Sequence, residues 1–297
     1  MNFKSITIND KEVFDMILQK NNYGTTELTF TYLFSWCPWF KTEYAIDDDT
    51  IFLRLRNRLG ELYYLMPVGK MPLNEALNRL LRKSYDNNIP FQMRAITVRM
   101  WEKIEREVPG QFKFIRDRGD DEYIYLSEKL IHLSGAKLRR KRNHLKHFRT
   151  EYPNWEYTPL LSQSQIQECL EMLMQLEQKS SADASKLQQY DFISTRLILE
   201  NYDILDLRGG LIRVDGKIVA FAIGEILTED MFVVHIEKAF KDIQGAYTII
   251  NQQFVEHAAS EFKYINREDD IGLENLRKAK MSYYPEMMLE KGIVRLK

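Results

Sequence analysis

The sequence predicts an α+β fold made of two successive units. Three observations predict it. Short runs of alternating apolar residues occur in each half, which is the pattern of half-buried strands. A helix and then a further strand follow each set of runs. The chain has 297 residues, 44% apolar and 29% charged, enough for two cores of ordinary size with the balance of a globular protein.

In the first half a helix is predicted near Lys11 to Lys20, followed by an aromatic stretch at Tyr32, Phe34, Trp36, Trp39 and Phe40. Ile51, Leu53 and Leu55 alternate with polar residues, and a second β-rich run covers Leu62 to Val68. Pro72 to Asp86 reads as an amphipathic helix with Leu73, Ala76, Leu77, Leu80 and Leu81 on one face. Phe91 to Val98 is the next strand. The second half repeats this order. Leu211 to Val214 and Lys217 to Ile226 flank Asp215-Gly216, a strong hairpin signal. Met231 to Ile236 reads as a strand, Ala246 to Phe262 as a helix, and Lys263 to Ile265 as a short strand. The Pro-containing connection from Tyr152 to Pro159 is the expected boundary, giving domains 1–155 and 156–297. Glu177 to Asp191, rich in Ser, Gln, Lys and Asp, reads as a surface loop.

Several classes are disfavoured. No apolar run approaches the ~18 residues that span a bilayer. The opening MNFKSITINDKEVFDMI carries Lys4, Asp10, Lys11 and Glu12 where a signal peptide needs an apolar core. A cytoplasmic location is therefore expected. Cys37 and Cys169 have no metal-ligand or disulfide spacing and read as buried small hydrophobes. The histidines at 132, 144, 147, 235 and 257 form no HExxH or zinc-site pattern, and no GxSxG, P-loop or clean GxGxxG occurs. No metal and no required cofactor are expected. His235 alternates with strand residues and reads as buried structure.

Two stretches carry charge in unusual density. Lys137, Arg139, Arg140, Lys141, Arg142, Lys146 and Arg149 occur without an intervening acid, while Leu138, Leu145 and Phe148 share a helical face. Such a stripe suits phosphates, or it is a solvated helix face. Asn143 and His144 would add neutral hydrogen bonds. The second stretch, Asn266 to Pro285, places Glu268, Asp269 and Asp270 ahead of Arg277, Lys278 and Lys280, and ends at Tyr283, Tyr284 and Pro285. It could hold a polar ligand between carboxylates and cations, or be a self-neutralising network.

INREDDIG followed by LRKAKMSYYP, with YIYLSEKLIHLSGAKLRRKRNHLKHF and HIEKAF-GAY upstream, resembles the phosphatidylglycerol lysyltransferase C-terminal domain family. The three blocks keep the family's order over about 160 residues. The resemblance implies two tandem GNAT-like domains, related to acyl-CoA N-acyltransferases, with mixed, mostly antiparallel sheets flanked by helices. It also implies kinship with enzymes that move an aminoacyl group from charged tRNA to an acceptor. GNAT enzymes bind the acyl-CoA pyrophosphate at a helix start. Here that place reads Asp242-Ile243-Gln244-Gly245-Ala246-Tyr247. Gly245 fits, but Asp242 and Tyr247 disfavour acetyl-CoA or another acyl-CoA.

The leading expectation is thus aminoacyl transfer from charged tRNA to an amine or hydroxyl acceptor, a small polar molecule or a lipid headgroup. Glu237, Glu268 and Asp270 are the candidate catalytic carboxylates that orient the attacking group. Lys141, Arg142, Asn143, Lys238, Gly245, Arg277, Lys278 and Lys280 are candidates for phosphates or the oxyanion. Asn266, Arg267, Gly272 and Tyr283 would grip the acceptor or stack on a base. The alternatives are an acyl-CoA N-acyltransferase with a degenerate loop and a non-catalytic RNA- or phosphate-binding protein of the same fold.

Overall fold

The computed structural model describes residues 1–18, 23–179 and 185–297. Its contacts divide the chain into one unit of Met1–Asp121 with Leu289–Lys297 and a second of Glu122–Met288.

The first unit contains β1 (Lys4–Ser5), α1 (Lys11–Leu18), α2 (Phe30–Ser35), α3 (Cys37–Phe40), β2 (Glu43–Asp47), β3 (Thr50–Arg56), β4 (Leu62–Tyr64) and β5 (Val68–Gly69). There follow α4 (Leu73–Asp86), β6 (Gln92–Thr97), α5 (Val98–Glu107), β7 (Phe112–Arg116) and the C-terminal strand β15 (Lys291–Leu296). The sheet runs β1-β2-β3-β4-β6-β15-β7, with β5 on β3. β4 and β6 are parallel at Tyr64 and Met93, so α4 is the crossover that a parallel pair requires. The α4 stripe predicted from sequence is the buried one, with Leu73, Ala76, Leu77 and Leu80 in the core. The helix expected over Lys11 to Lys20 is seen as α1; residues 19 and 20 lie outside the described residues.

The second unit contains β8 (Glu122–Leu126), α6 (Ser127–His132), α7 (Arg139–Glu151), β9 (Trp155–Pro159), α8 (Gln163–Gln178), α9 (Lys186–Glu200), α10 (Tyr202–Leu205) and β10 (Arg208–Val214). It continues through β11 (Lys217–Thr228), β12 (Met231–Ala239), α11 (Ala246–Ala258), β13 (Tyr264–Asn266), α12 (Glu274–Met281) and β14 (Met287–Leu289). Strand order is β14-β8-β13-β12-β11-β10-β9. β10 and β11 form the expected hairpin, with Val214 opposite Lys217. Asp215 and Gly216 have φ of 48° and 78°, the left-handed pair of a tight two-residue turn. β12 and β13 are parallel and joined by α11, whose Ile249, Ile250, Phe254 and Val255 pack with Phe232, Phe262 and Ile265 in one core. Both sheets are mixed, each has one strand-helix-strand crossover, and the architecture is α+β with two sheet-and-helix units in tandem.

The division falls after Asp121 rather than at residue 155. β8 pairs with β13, Leu126 opposite Tyr264 and Ile124 opposite Asn266, so the stretch after Asp121 shares the second core. β15 returns to the first sheet between β6 and β7. It is fastened there by the buried Lys291 ammonium, which donates to both Glu27 oxygens at 2.7 and 2.5 Å. Part of the expected Glu177–Asp191 loop is helical. The Ser185 hydroxyl accepts from the Gln188 N–H in a capping box that starts α9, a local signal strong enough to outweigh the polar composition. Residues 180–184 lie outside the described residues. Among the described residues, no helix is long and apolar enough to cross a membrane. Cys169 is buried on α8, which pushes its thiol up to about 12.

Candidate functional site

Glu237 and Lys238 are neighbours on β12, so their side chains leave the sheet on opposite faces. Glu237 faces α11, where one carboxylate oxygen accepts from Asn251 Nδ2 at 2.6 Å. Its other oxygen takes the Arg267 guanidinium, supplied just after β13. Lys238 pairs with Asp191 of α9 and lies 5.6 Å from the Phe192 ring centroid. The two adjacent candidates therefore serve different surroundings.

Arg267 anchors the cluster. Its side chain is 11% exposed and its guanidinium lies 4.8 Å from the Tyr283 ring centroid and 5.6 Å from that of Tyr125. Nη2 is bound to Glu237, whereas the buried Nη1 has no partner. The buried Asn251 Oδ1 has none either. From α7, Lys141 places its ammonium 3.8 Å from the same Tyr283 ring. Burial first, then the neighbouring Arg267 and Arg140 charges, bring the Lys141 amine down to about 8, although Glu237 pulls the other way. Tyr283 is itself buried, which raises its phenol, and Thr248 of α11 lies at its hydroxyl. Lys141, Glu237, Asn251, Arg267 and Tyr283 thus converge from five segments. Asn251 escaped the sequence reading; its signal was an amide following Ile249 and Ile250 on a buried helix face, where a polar group needs a partner.

The rest of the Asn266–Pro285 stretch makes a scaffold around Arg267. Asp270 is fully buried and accepts from Arg277 Nε and Nη2 at 2.9 and 3.0 Å, the Tyr123 hydroxyl at 2.5 Å and the Gly272 N–H at 2.9 Å. Burial alone would raise this carboxyl; Arg277, Tyr123 and the Gly272 N–H outweigh it and hold it below the usual range. A carboxylate so occupied is a clamp, and Arg277 is its other jaw. Lys280 donates to the backbone carbonyl of Arg267 at 2.5 Å and to that of Asp269. Burial lowers its pKa. Asn266 donates to Glu122 at 2.6 Å and accepts from the Glu268 N–H at 2.8 Å. Gly272 has φ of 73° and open space where a Cβ would go, so the turn and not a close approach requires glycine. Lys278 pairs with Glu274 at 2.7 Å on the surface, away from the cluster.

Glu268 does face a partner, but inside the protein. His235 lies between Glu225 and Glu268, 2.8 Å from each, with its side chain 3% exposed. Burial favours the neutral ring, yet the two carboxylates overcome it and the imidazole is pushed up to about 10. His235 is structural, as its strand position implied, and it is a doubly bridged cation.

On α7 the cations separate by face. Lys141 turns inward. Arg142 donates to the carbonyls of Leu133 and, at 2.7 Å, Gly135, closing the end of α6. Asn143 is exposed. Lys146, Arg149 and Arg142, with His132, Leu145, Thr150 and Gln252, line a cavity of about 380 Å³. Gly245 caps α11 at φ 90°, and a Cβ there would lie 2.8 Å from the His144 carbonyl oxygen and 2.9 Å from Phe148 Cβ. The start of α11, the pyrophosphate seat in a GNAT enzyme, is therefore packed against α7. Asp242 is exposed and pairs with Lys179 at 3.0 Å.

Comparison with known proteins agrees with this architecture. The family described as phosphatidylglycerol lysyltransferase, C-terminal, matches residues 20–294. A conserved protein of unknown function from Bacteroides thetaiotaomicron is 36% identical over 100% of both chains, with a TM-score of 0.91. The L-PGS structure from Bacillus licheniformis is 14% identical, covers 99% of this chain and 93% of its own, and has a TM-score of 0.66, a likeness of fold. No curated protein matches the sequence.

Proposed function

The chain belongs to the phosphatidylglycerol lysyltransferase C-terminal family, and from that premise we propose that it moves an aminoacyl group from charged tRNA to an amine or hydroxyl acceptor in the cytoplasm. The observation that carries the reading is the buried Glu237–Arg267–Asn251 network beneath Lys141 and Tyr283. It contains a donor, Arg267 Nη1, and an acceptor, Asn251 Oδ1, that no protein group satisfies, and such groups are costly to bury unless something uses them.

In the proposed reaction the acceptor nitrogen or oxygen attacks the ester carbonyl, and the new C–N or C–O bond replaces the ester bond to the tRNA ribose. The acceptor's proton ends on the departing ribose oxygen. Glu237 is fixed by Asn251 and Arg267 and keeps lone pairs that can accept from the attacking group, so its role is orientation. The outward cations of α7, Arg139, Arg140, Lys146 and Arg149, suit donor phosphates. The close packing of α7 on Gly245 favours this donor over acyl-CoA, and no cofactor is needed.

Thermal-shift measurements with a non-hydrolysable aminoacyl-adenosine, coenzyme A and bulk tRNA at two salt concentrations test the reading. Stabilisation by the aminoacyl analogue, lost in Glu237→Gln, is expected. Stabilisation by coenzyme A alone would replace the reading with acyl-CoA chemistry. Salt-sensitive tRNA binding with no response to the aminoacyl analogue would replace it with a binding-only protein.

A further inference from the structure

Three cations of α7 surround one cavity with nothing to neutralise them. Arg142, Lys146 and Arg149 are spaced i, i+4 and i+7, which puts them on one face of the helix. With His132 of α6 and Gln252 of α11 they line a cavity of about 380 Å³, completed by Leu145 and Thr150. No acid lines it. Among the described residues, none of the three cations has a carboxylate partner. Like charges at this spacing repel along a helix, so the face costs stability while the cavity is empty.

Two of the cations are held in place, unlike those of a solvated helix face. Arg142 Nη1 is fixed by the carbonyls of Leu133 and Gly135. Arg149 Nη2 donates to Gln252 Oε1 at 3.0 Å, and Gln252 Nε2 donates in turn to the Ile131 carbonyl at 2.6 Å. Each guanidinium keeps further N–H groups for a ligand. Lys146 is exposed beside them. The arginines are therefore spared part of the ordering entropy that binding costs.

We propose that this cavity binds a pyrophosphate group, as the free ion or within a nucleoside diphosphate. Pyrophosphate brings several negative charges on two adjacent phosphates and so matches three clustered cations, where a nucleic-acid diester or a carboxylate brings one. An arginine fork takes two oxygens of one phosphate, and the lysine ammonium takes another as a point charge. The lining includes Leu145 but no aromatic ring on which a base could stack, so the cavity recognises the phosphates. Lys141 leaves α7 about 100° around the axis from Arg142, which separates this site from the Glu237 cluster. No aminoacyl donor takes part, and either reading can fail without the other.

Calorimetric titration of the whole chain with pyrophosphate, adenosine and uridine diphosphates, acetate and a short oligoribonucleotide lacking terminal phosphates tests this. Pyrophosphate should bind one to one and more tightly than acetate. Binding should weaken about tenfold or more in Lys146→Met, the loss of one charge-assisted contact, and stay unchanged in Lys278→Ala. Diphosphates of both bases binding more tightly than pyrophosphate would support the site with a nucleotide as its source; the reverse order would support it with the free ion. Unchanged pyrophosphate affinity in Lys146→Met, an equal loss in Lys278→Ala, or acetate binding as tightly as pyrophosphate would overturn the proposal. So would tighter binding of the oligoribonucleotide, which would make the stripe a nucleic-acid face. Retained cooperative unfolding of Lys146→Met shows that lost binding is not lost folding.

Discussion

Replacing His235 by glutamine removes a buried positive charge from between two carboxylates. In the native protein each ring nitrogen is 2.8 Å from a glutamate oxygen, and the ring's pKa stands near 10 against an ordinary 6.5. At about 1.4 kcal/mol per pH unit, that displacement corresponds to roughly 3–5 kcal/mol of stability. The cost of breaking a buried charge pair, also about 3–5 kcal/mol, agrees. Because the folded pKa is raised, the contribution is complete below pH 6.5, declines as pH rises, and is gone above about pH 10. Urea unfolding of wild type and His235→Gln at pH 6, 7.5, 9 and 10.5 measures it. The stability gap should be largest at pH 6 and close progressively, while groups remote from residue 235 cancel. A gap that stays constant from pH 6 to pH 10.5 would mean that the ring is neutral and the bridged-cation account is wrong.

Three further outcomes follow from the same geometry. Asp270→Asn should lower the melting temperature while leaving aminoacyl-analogue affinity per folded molecule unchanged; intact stability with lost binding would return Asp270 to the substrate. Gly245→Ala should destabilise by about 1–3 kcal/mol, since it combines strain at positive φ with a Cβ against the His144 carbonyl, and a variant as stable as wild type in urea would contradict the packing of α7 on α11. Lys278→Ala should change neither melting temperature nor aminoacyl-analogue affinity, because its Glu274 pair is solvent-exposed; a loss of affinity in titration would place Lys278 in the site.

Local chemistry was the legible part of this sequence. Asp215-Gly216 declares its turn because both residues tolerate positive φ, and the α4 stripe declares its buried face through spacing alone. The division after Asp121 was hidden because it depends on β8 meeting β13, some 140 residues later, and on β15 returning to the first sheet. No local pattern reports such partners. The charge density of Asn266–Pro285 was equally plain, but not its allocation. Asp270 and Arg277 occupy each other, Lys280 holds backbone carbonyls, and Arg267 keeps a buried donor without a partner among the described residues. Likewise Lys141 and Arg142 are adjacent on α7, about 100° apart around its axis, so one enters the cluster while the other caps α6.

The central claim is that the Glu237–Arg267 network serves aminoacyl transfer from charged tRNA. The most direct measurement incubates the protein with tRNAs bearing labelled amino acids and a mixture of amine and hydroxyl acceptors, and follows the label. The account predicts that label leaves at least one tRNA for an acceptor faster than spontaneous hydrolysis, and that Glu237→Gln, still folded, abolishes the excess. Identical rates of label loss with and without protein, for every amino acid, would contradict it.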